Sequence, residues 1–301
     1  MKSFLSGVLI ALISSVCLAQ DAKQISLAAG QIEKQLATLK VSDDLKQQCT
    51  NDVADALSNL KKGRAYLSLY TLRTCQLELA SLAYAASKAD LANKGADAFE
   101  TEWRQLGNTL AEKEMSLAVQ PAKPPPAVIT AIADISRIQA RPYYQSGRLF
   151  ALNSNLSEGI YYTGRAPANL DFAIFCRSLH FPSPKESLQT RSLEPELKKL
   201  EAKALRTYKS ADVSTFQNQY NRLNSNLKVA GELNSASMFE GALLKYLESQ
   251  LYFGMLITTA EREDIEHLRE RSNEIANVLS KEKSDESIGI LFYQMADAAL
   301  N

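Results

Sequence analysis

The chain has 301 residues, and 34 Lys+Arg balance 34 Asp+Glu, so the formal net charge is zero. That balance argues against nucleic acid, which needs a basic footprint, and against an anionic membrane surface as the main partner. Hydrophobic residues make up 46%, enough for a core, while only 12 glycines and 9 prolines interrupt Ala, Leu, Lys, Glu and Gln. Those are helix formers, and strand-like runs of Val, Ile and Thr are nearly absent, so an all-α fold is expected.

The chain opens with Met1-Lys2-Ser3, then an apolar run from Phe4 to Leu18 interrupted by serines and Gly7. Small residues, Cys17 and Ala19, occupy the −3 and −1 positions of a cut before Gln20. A positive start, a short apolar core and a small-x-small exit are the parts of a cleavable secretory signal peptide, here residues 1–19. An uncleaved anchor is the alternative, but the run is short for a membrane span. A lipoprotein signal needs a small residue before Cys17, where Val16 stands. No later segment approaches the ~18 apolar residues of a spanning helix. The mature chain is therefore expected in a periplasm or outside the cell, without a membrane span.

Apolar residues then recur at three- and four-residue spacing almost throughout, predicting about eleven or twelve helices. Ile25 to Leu39 comes first. Asp43 or Asp44 can cap a second helix running to about Leu60, stopped by Lys61-Lys62-Gly63. Arg64 to Ala92 and Asp97 to Val119 follow, the latter with the sole tryptophan, Trp103. Gln120 to Pro126 contains Pro124-Pro125-Pro126, which no helix interior accommodates. It divides the chain into an N-terminal helical half (20–119) and a C-terminal half (127–301). A stiff loop within a single domain is the alternative. Val128 to Arg141 is helical with a break or kink at Pro142, Tyr143 to Leu156 resumes, and Ala166-Pro167 opens a helix through Cys176 and His180. Leu193 to Lys209, Val213 to Ala230, Ser235 to Ile257, Glu261 to Lys281 and Ser287 to Leu300 complete the set.

Gly63-Arg64-Ala65-Tyr66, Gly147-Arg148-Leu149-Phe150 and Gly241-Ala242-Leu243-Leu244 share a glycine followed three positions later by an aromatic residue or leucine. This spacing resembles that of tetratricopeptide-type helical hairpins. The small residue due nine positions after the aromatic falls on Cys75, Gly159 and Phe253, and the three glycines stand much further apart than the ~34-residue period of such arrays. The resemblance implies stacked antiparallel helical hairpins, either a degenerate tetratricopeptide-like array or an irregular bundle.

Removal of the leader removes Cys17 and leaves Cys49, Cys75 and Cys176. An oxidising compartment favours a disulfide. If the second and third helices turn near Lys62, Cys49 and Cys75 lie equally far from the turn (62 − 49 = 75 − 62 = 13). Cys49 shares a face with Val53, Ala56 and Leu60, and Cys75 with Leu72, Leu79 and Leu82. A disulfide needs Cα atoms within ~7 Å, closer than the ~8–10 Å of ordinary helix packing, so a Cys49–Cys75 bridge requires this pair to pack tightly. Two free buried thiols are the alternative. Cys176 is expected to be buried and inert.

Constellations for chemistry are thin. Cys176 and His180 stand one helical turn apart, but two ligands do not make a metal site, and a catalytic pair lacks an orienting group. Asp264-Ile265-Glu266-His267 resembles half of a di-iron step, and its second half is missing. There is no Gly-x-Ser-x-Gly, phosphate-binding loop or His-Glu-x-x-His, and neither a cofactor nor a metal is implied. Glu100 and Glu102 beside Trp103 could form a hydrolytic carboxylate pair, or simply flank a buried tryptophan.

The most unusual stretch runs from Arg141 to Arg165. Arg141, Tyr143, Tyr144, Arg148, Tyr161, Tyr162 and Arg165 have the composition of binding hot spots. They are the candidate binding residues, for a protein, peptide or glycan of the envelope; the alternative is that the tyrosines pack between hairpins and the arginines are solvated. The expected function is an exported helical binding or scaffold protein. An envelope hydrolase whose acids converge only in the fold, and a structural subunit of an envelope assembly, are the alternatives.

Overall fold

The computed structural model describes residues 2–119, 121, 123–210, 213–257, 265–279, 281 and 284–300; side chains are described from residue 20 onward, except at 209–216 and 257–267. The leader's side chains and those of the Asp264–His267 motif thus lie outside the described residues. The protein is all-α, with twelve helices and no strand among the described residues. One isolated parallel bridge joins Glu186 and Ser284. Among the described residues, no helix is long and apolar enough to cross a membrane.

The chain forms two compact units, Met1–Pro126 with Gln139–Pro184, and Ala127–Ile138 with Lys185–Asn301. The proline-rich segment therefore ends at the first passage from one unit to the other, and residues 139–184 return to the first.

In the first unit, α1 (Lys2–Thr38) and α2 (Asp43–Lys61) both pack on α3 (Ala65–Ser87). Ser42, rather than Asp43 or Asp44, caps α2, its Oγ accepting the Leu45 N–H at 3.3 Å. The two aspartates occupy the first turn, where negative charge suits the helix dipole. Gly63 adopts φ 76°, the left-handed conformation that ends α2 and that a side chain would strain. The reversal brings Cys49 and Cys75 together in a disulfide with Cα atoms 5.5 Å apart. Both are fully buried.

A break at Lys88 divides what the spacing alone reads as one helix up to Ala92 into α3 and a short α4 (Ala89–Lys94), and α5 (Ala96–Ala118) follows. The next helix, α6 (Ala127–Leu152), corrects the expected break: it continues through Pro142. Pro142 removes one hydrogen bond, but Val128, Ile129, Ala131, Ile132, Ile135 and Ala140 are buried along the preceding turns, and such packing outweighs local propensity. The following boundary is also corrected. α6 ends at Leu152, and α7 (Leu156–Ser178) opens at Asn155, whose Oδ1 accepts the Glu158 N–H at 3.2 Å. Pro167 lies inside α7. α7 packs against α3, α4 and α5. The α6–α7 hairpin closes tightly at Gly147. A Cβ there would lie 2.8 Å from the Thr163 backbone nitrogen and 2.9 Å from the Gly159 oxygen, and would collide with Thr163 Oγ1. At the start of the unit, a carboxylate oxygen of fully buried Asp21 accepts the His180 backbone N–H at 2.6 Å, tying α1 to the chain leaving α7.

The second unit contains the start of α6, α8 (Glu194–Ser210), α9 (Val213–Ser235), α10 (Phe239–Ile257), α11 (Ile265–Leu279) and α12 (Ser287–Leu300). Leu197, Leu200 and Ala204 of α8 pack with Leu223, Leu227 and Ala230 of α9 and with Leu256 of α10. Lys245 and Glu248, both nearly buried, form an ion pair at 2.6 Å beside Asn226. The start of α6 is capped from far along the chain. Asp285 accepts the Ala127 N–H at 2.6 Å and the Ser287 N–H at 3.0 Å, and Ser287 Oγ accepts the Val128 N–H at 3.0 Å. Pro126, which precedes these N–H groups, offers no side-chain acceptor of its own.

The three glycines of the apparent repeat have three different roles. Gly63 makes a turn and Gly147 a helix crossing, whereas Gly241, within α10, faces Leu233 and Asp134.

Candidate functional site

The candidate residues fall into two clusters in the first unit. Consecutive residues on a helix point about 100° apart, so Tyr143 and Tyr144 of α6 face different neighbours.

Tyr143, Tyr161, Tyr162 and Arg165 come together. Tyr162 stacks on Phe150 (centroids 4.7 Å apart) and on Tyr143 (6.2 Å), and meets Tyr161 edge-on (5.5 Å). The Arg165 guanidinium lies 4.7 Å from the centre of the Tyr143 ring and pairs with Glu78 of α3 at 2.6 Å. Glu78 also accepts the Tyr161 hydroxyl hydrogen bond. Burial first, then Glu78, pushes the Tyr161 hydroxyl above the usual tyrosine range, so it remains a neutral donor. All four rings are partly exposed.

Tyr144 and Arg148 join Trp103 of α5. The Trp103 and Tyr144 rings stack with centroids 4.2 Å apart. Trp103 Nε1 donates to the Tyr144 carbonyl at 3.0 Å, and the Tyr144 hydroxyl donates to the Trp103 carbonyl at 2.8 Å. Arg148 covers the Trp103 ring at 4.8 Å and grips both oxygens of Glu100 at 3.0 Å. These bonds hold the Glu100 carboxyl below its ordinary range, with Arg104 adding to the effect. Glu102 pairs with Lys88 at 2.7 Å and accepts from the Tyr84 hydroxyl at 3.4 Å. Burial first, then Glu102, raises the Tyr84 hydroxyl. Glu100 and Glu102 are thus each matched to a cation. The cavity beside Glu100 is about 250 Å³, below the ~300–1,000 Å³ of typical ligand pockets.

Arg141 is exposed and joins neither cluster. Cys176 is fully buried on α7, while His180 lies exposed beyond the helix end, so the two do not form a catalytic pair. Desolvation pushes the Cys176 thiol up to about 12, which removes thiolate reactivity at neutral pH. Among the described residues, no group of three or more His, Cys, Asp or Glu is placed to hold a metal ion.

Sequence reasoning missed Glu78, Glu100 and Trp103 as members of these clusters. Each lies more than forty positions from its α6 or α7 partner, Tyr161, Arg148 and Tyr144 respectively, and no local spacing signals such a pairing.

Fold and site together define an all-α protein of two units, with an aromatic row on the α6–α7 hairpin of the first. Compared with known proteins, the chain matches no family model, and neither a curated protein nor a solved structure is significantly similar to it.

Proposed function

We propose that the chain is an exported binding protein that holds an envelope or extracellular partner on the aromatic row of its α6–α7 hairpin. The observation that carries this reading is the row itself: Phe150, Tyr162, Tyr143 and Tyr161 side by side and partly exposed. Its neighbouring cation, Arg165, is already neutralised by Glu78, and Arg148 of the second cluster by Glu100. The row therefore offers ring faces and hydroxyls rather than a free positive charge, and suits a sugar ring or a peptide that stacks and hydrogen-bonds. Rigid aromatic anchors lose little entropy on binding, which makes tyrosine effective on such surfaces.

Export rests on the 1–19 leader and is supported by the Cys49–Cys75 disulfide, a bond favoured in oxidising compartments. N-terminal sequencing of the protein recovered from the envelope or medium tests it, with Gln20 expected as the first residue. The binding test is capture from envelope extract by the mature chain and by Tyr162→Ala and Arg148→Ala variants of unchanged helicity. The reading expects capture to be lost with Tyr162→Ala and weakened with Arg148→Ala. Equal recovery of the same partner by all three proteins sinks it.

A further inference from the structure

The second unit carries an open apolar cavity that the aromatic row does not involve. α11 and α12 pack on each other, and between this pair and α10 lies a cavity of about 750 Å³. Leu247 and Leu251 of α10, Ile275 and Leu279 of α11 and Phe292 of α12 form its walls. Its volume falls in the range of small-molecule pockets, ~300–1,000 Å³. Leu251 and Ile275 remain 48% and 52% exposed on its walls. On α12, Ala296 leaves space open where a larger side chain would fill it, while Gly289 lets Leu279 approach closely.

The polar groups are few and of one character. Among the described residues the lining contains a single charge, Arg271, and no acidic side chain. Among the described residues Arg271 has neither an ion-pair nor a hydrogen-bond partner. Ser272 and Tyr293 add hydroxyls to the same lining. A guanidinium at an otherwise apolar cavity complements a ligand with one anionic end and one apolar body, because it binds a carboxylate bidentately while the walls remove the tail from water.

We propose that this cavity binds a free single-chain carboxylate of the fatty-acid class, its head on Arg271 and its chain between α10, α11 and α12. One cation and one slot fit one head and one chain. Among the described residues the lining has no second charge that a zwitterionic headgroup would require.

The test titrates the mature full-length chain with dodecanoate, decanoate and 1-dodecanol by calorimetry. Dodecanoate is expected to bind one per chain. Decanoate, shorter by two methylenes, is expected to bind about fifteen-fold more weakly. Dodecanol is expected to bind at least about ten-fold more weakly than dodecanoate, because it lacks the charge that Arg271 recognises. Arg271→Gln should abolish the difference between dodecanoate and dodecanol while leaving dodecanol binding intact. Ala296→Phe, at an exposed position that projects into the cavity, should abolish both with the circular dichroism unchanged. Three results overturn the proposal: no saturable dodecanoate binding, equal affinity for dodecanol in the parent chain, or dodecanoate binding that survives Ala296→Phe. A dimer that Ala296→Phe converts to monomer, and that dodecanoate does not dissociate, also overturns it by giving the face to a second copy of the chain.

Discussion

Replacing both Cys49 and Cys75 by alanine removes the disulfide cross-link between α2 and α3. The bridge closes a loop of 26 residues. In the chain-entropy treatment, the unfolded state regains about 3.5 kcal/mol of freedom when a loop of that length is opened. For a unit of this size, each kcal/mol lowers the melting temperature by about 2–4 °C, so the double variant should melt roughly 7–14 °C below the parent. Circular dichroism melts of parent, double variant and a Cys176→Ala control, each with and without reductant, measure this. Reductant should bring parent and control close to the double variant and leave the double variant unmoved. A double variant that melts within about 2 °C of the oxidised parent would refute the argument, since the loop then contributes no entropy worth counting.

Gly147→Ala should destabilise the first unit by about 1–3 kcal/mol, because its methyl group collides with Thr163 and has no room against backbone atoms at 2.8 and 2.9 Å; a lower urea midpoint at unchanged helicity is the readout. Asp285→Ala removes the acceptor for two helix-start N–H groups, and at ~0.5–2 kcal/mol for each cap the loss should be about 1–4 kcal/mol in the second unit. A denaturation curve superimposable on the parent's would exclude that role. Burial raises the Asp21 carboxyl above its ordinary range. The folded state therefore keeps a proton that the unfolded state gives up, and the Asp21 contribution to stability falls as pH rises through the raised value. Asp21→Asn keeps an oxygen for the His180 N–H and should be more stable than the parent at pH 7, with the gap closing below the unfolded carboxyl's pKa of ~3.9. A parent that is the more stable of the two at pH 7 contradicts this. Cys176, with its thiol pushed up to about 12, should react with a thiol reagent at pH 8 only after denaturation.

The helices were legible because their apolar spacing is strong and helix breakers are few. Even the disulfide was legible, since Lys61-Lys62-Gly63 marks a turn and both cysteines lie equally far from Lys62. Pro142 and Pro167 misled, because a local rule sees the lost hydrogen bond and not the buried face that keeps α6 and α7 continuous. The tyrosines and arginines of 141–165 stood out by composition, but their division did not. Whether Arg148 faces solvent or Glu100 depends on α5, 48 residues away. The cavity of the second unit was invisible for a related reason. Ile275 and Phe292 each follow an ordinary amphipathic pattern, and only the assembled helices show that their faces leave space between them.

The cap shared by Asp285 and Ser287 has a consequence for the order in which the chain can mature. A ribosome delivers Ala127 and Val128 long before the residues that satisfy their N–H groups, which lie 158 and 159 positions downstream. Until then the first turn of α6 has only water for its free donors, and a contact so distant in sequence is costly to close early. The second unit therefore cannot complete its first helix before its last one begins. Nascent chains stopped short of Asp285 should leave residues 127–138 open to proteolysis even where the hairpin of α9 and α10 has already formed.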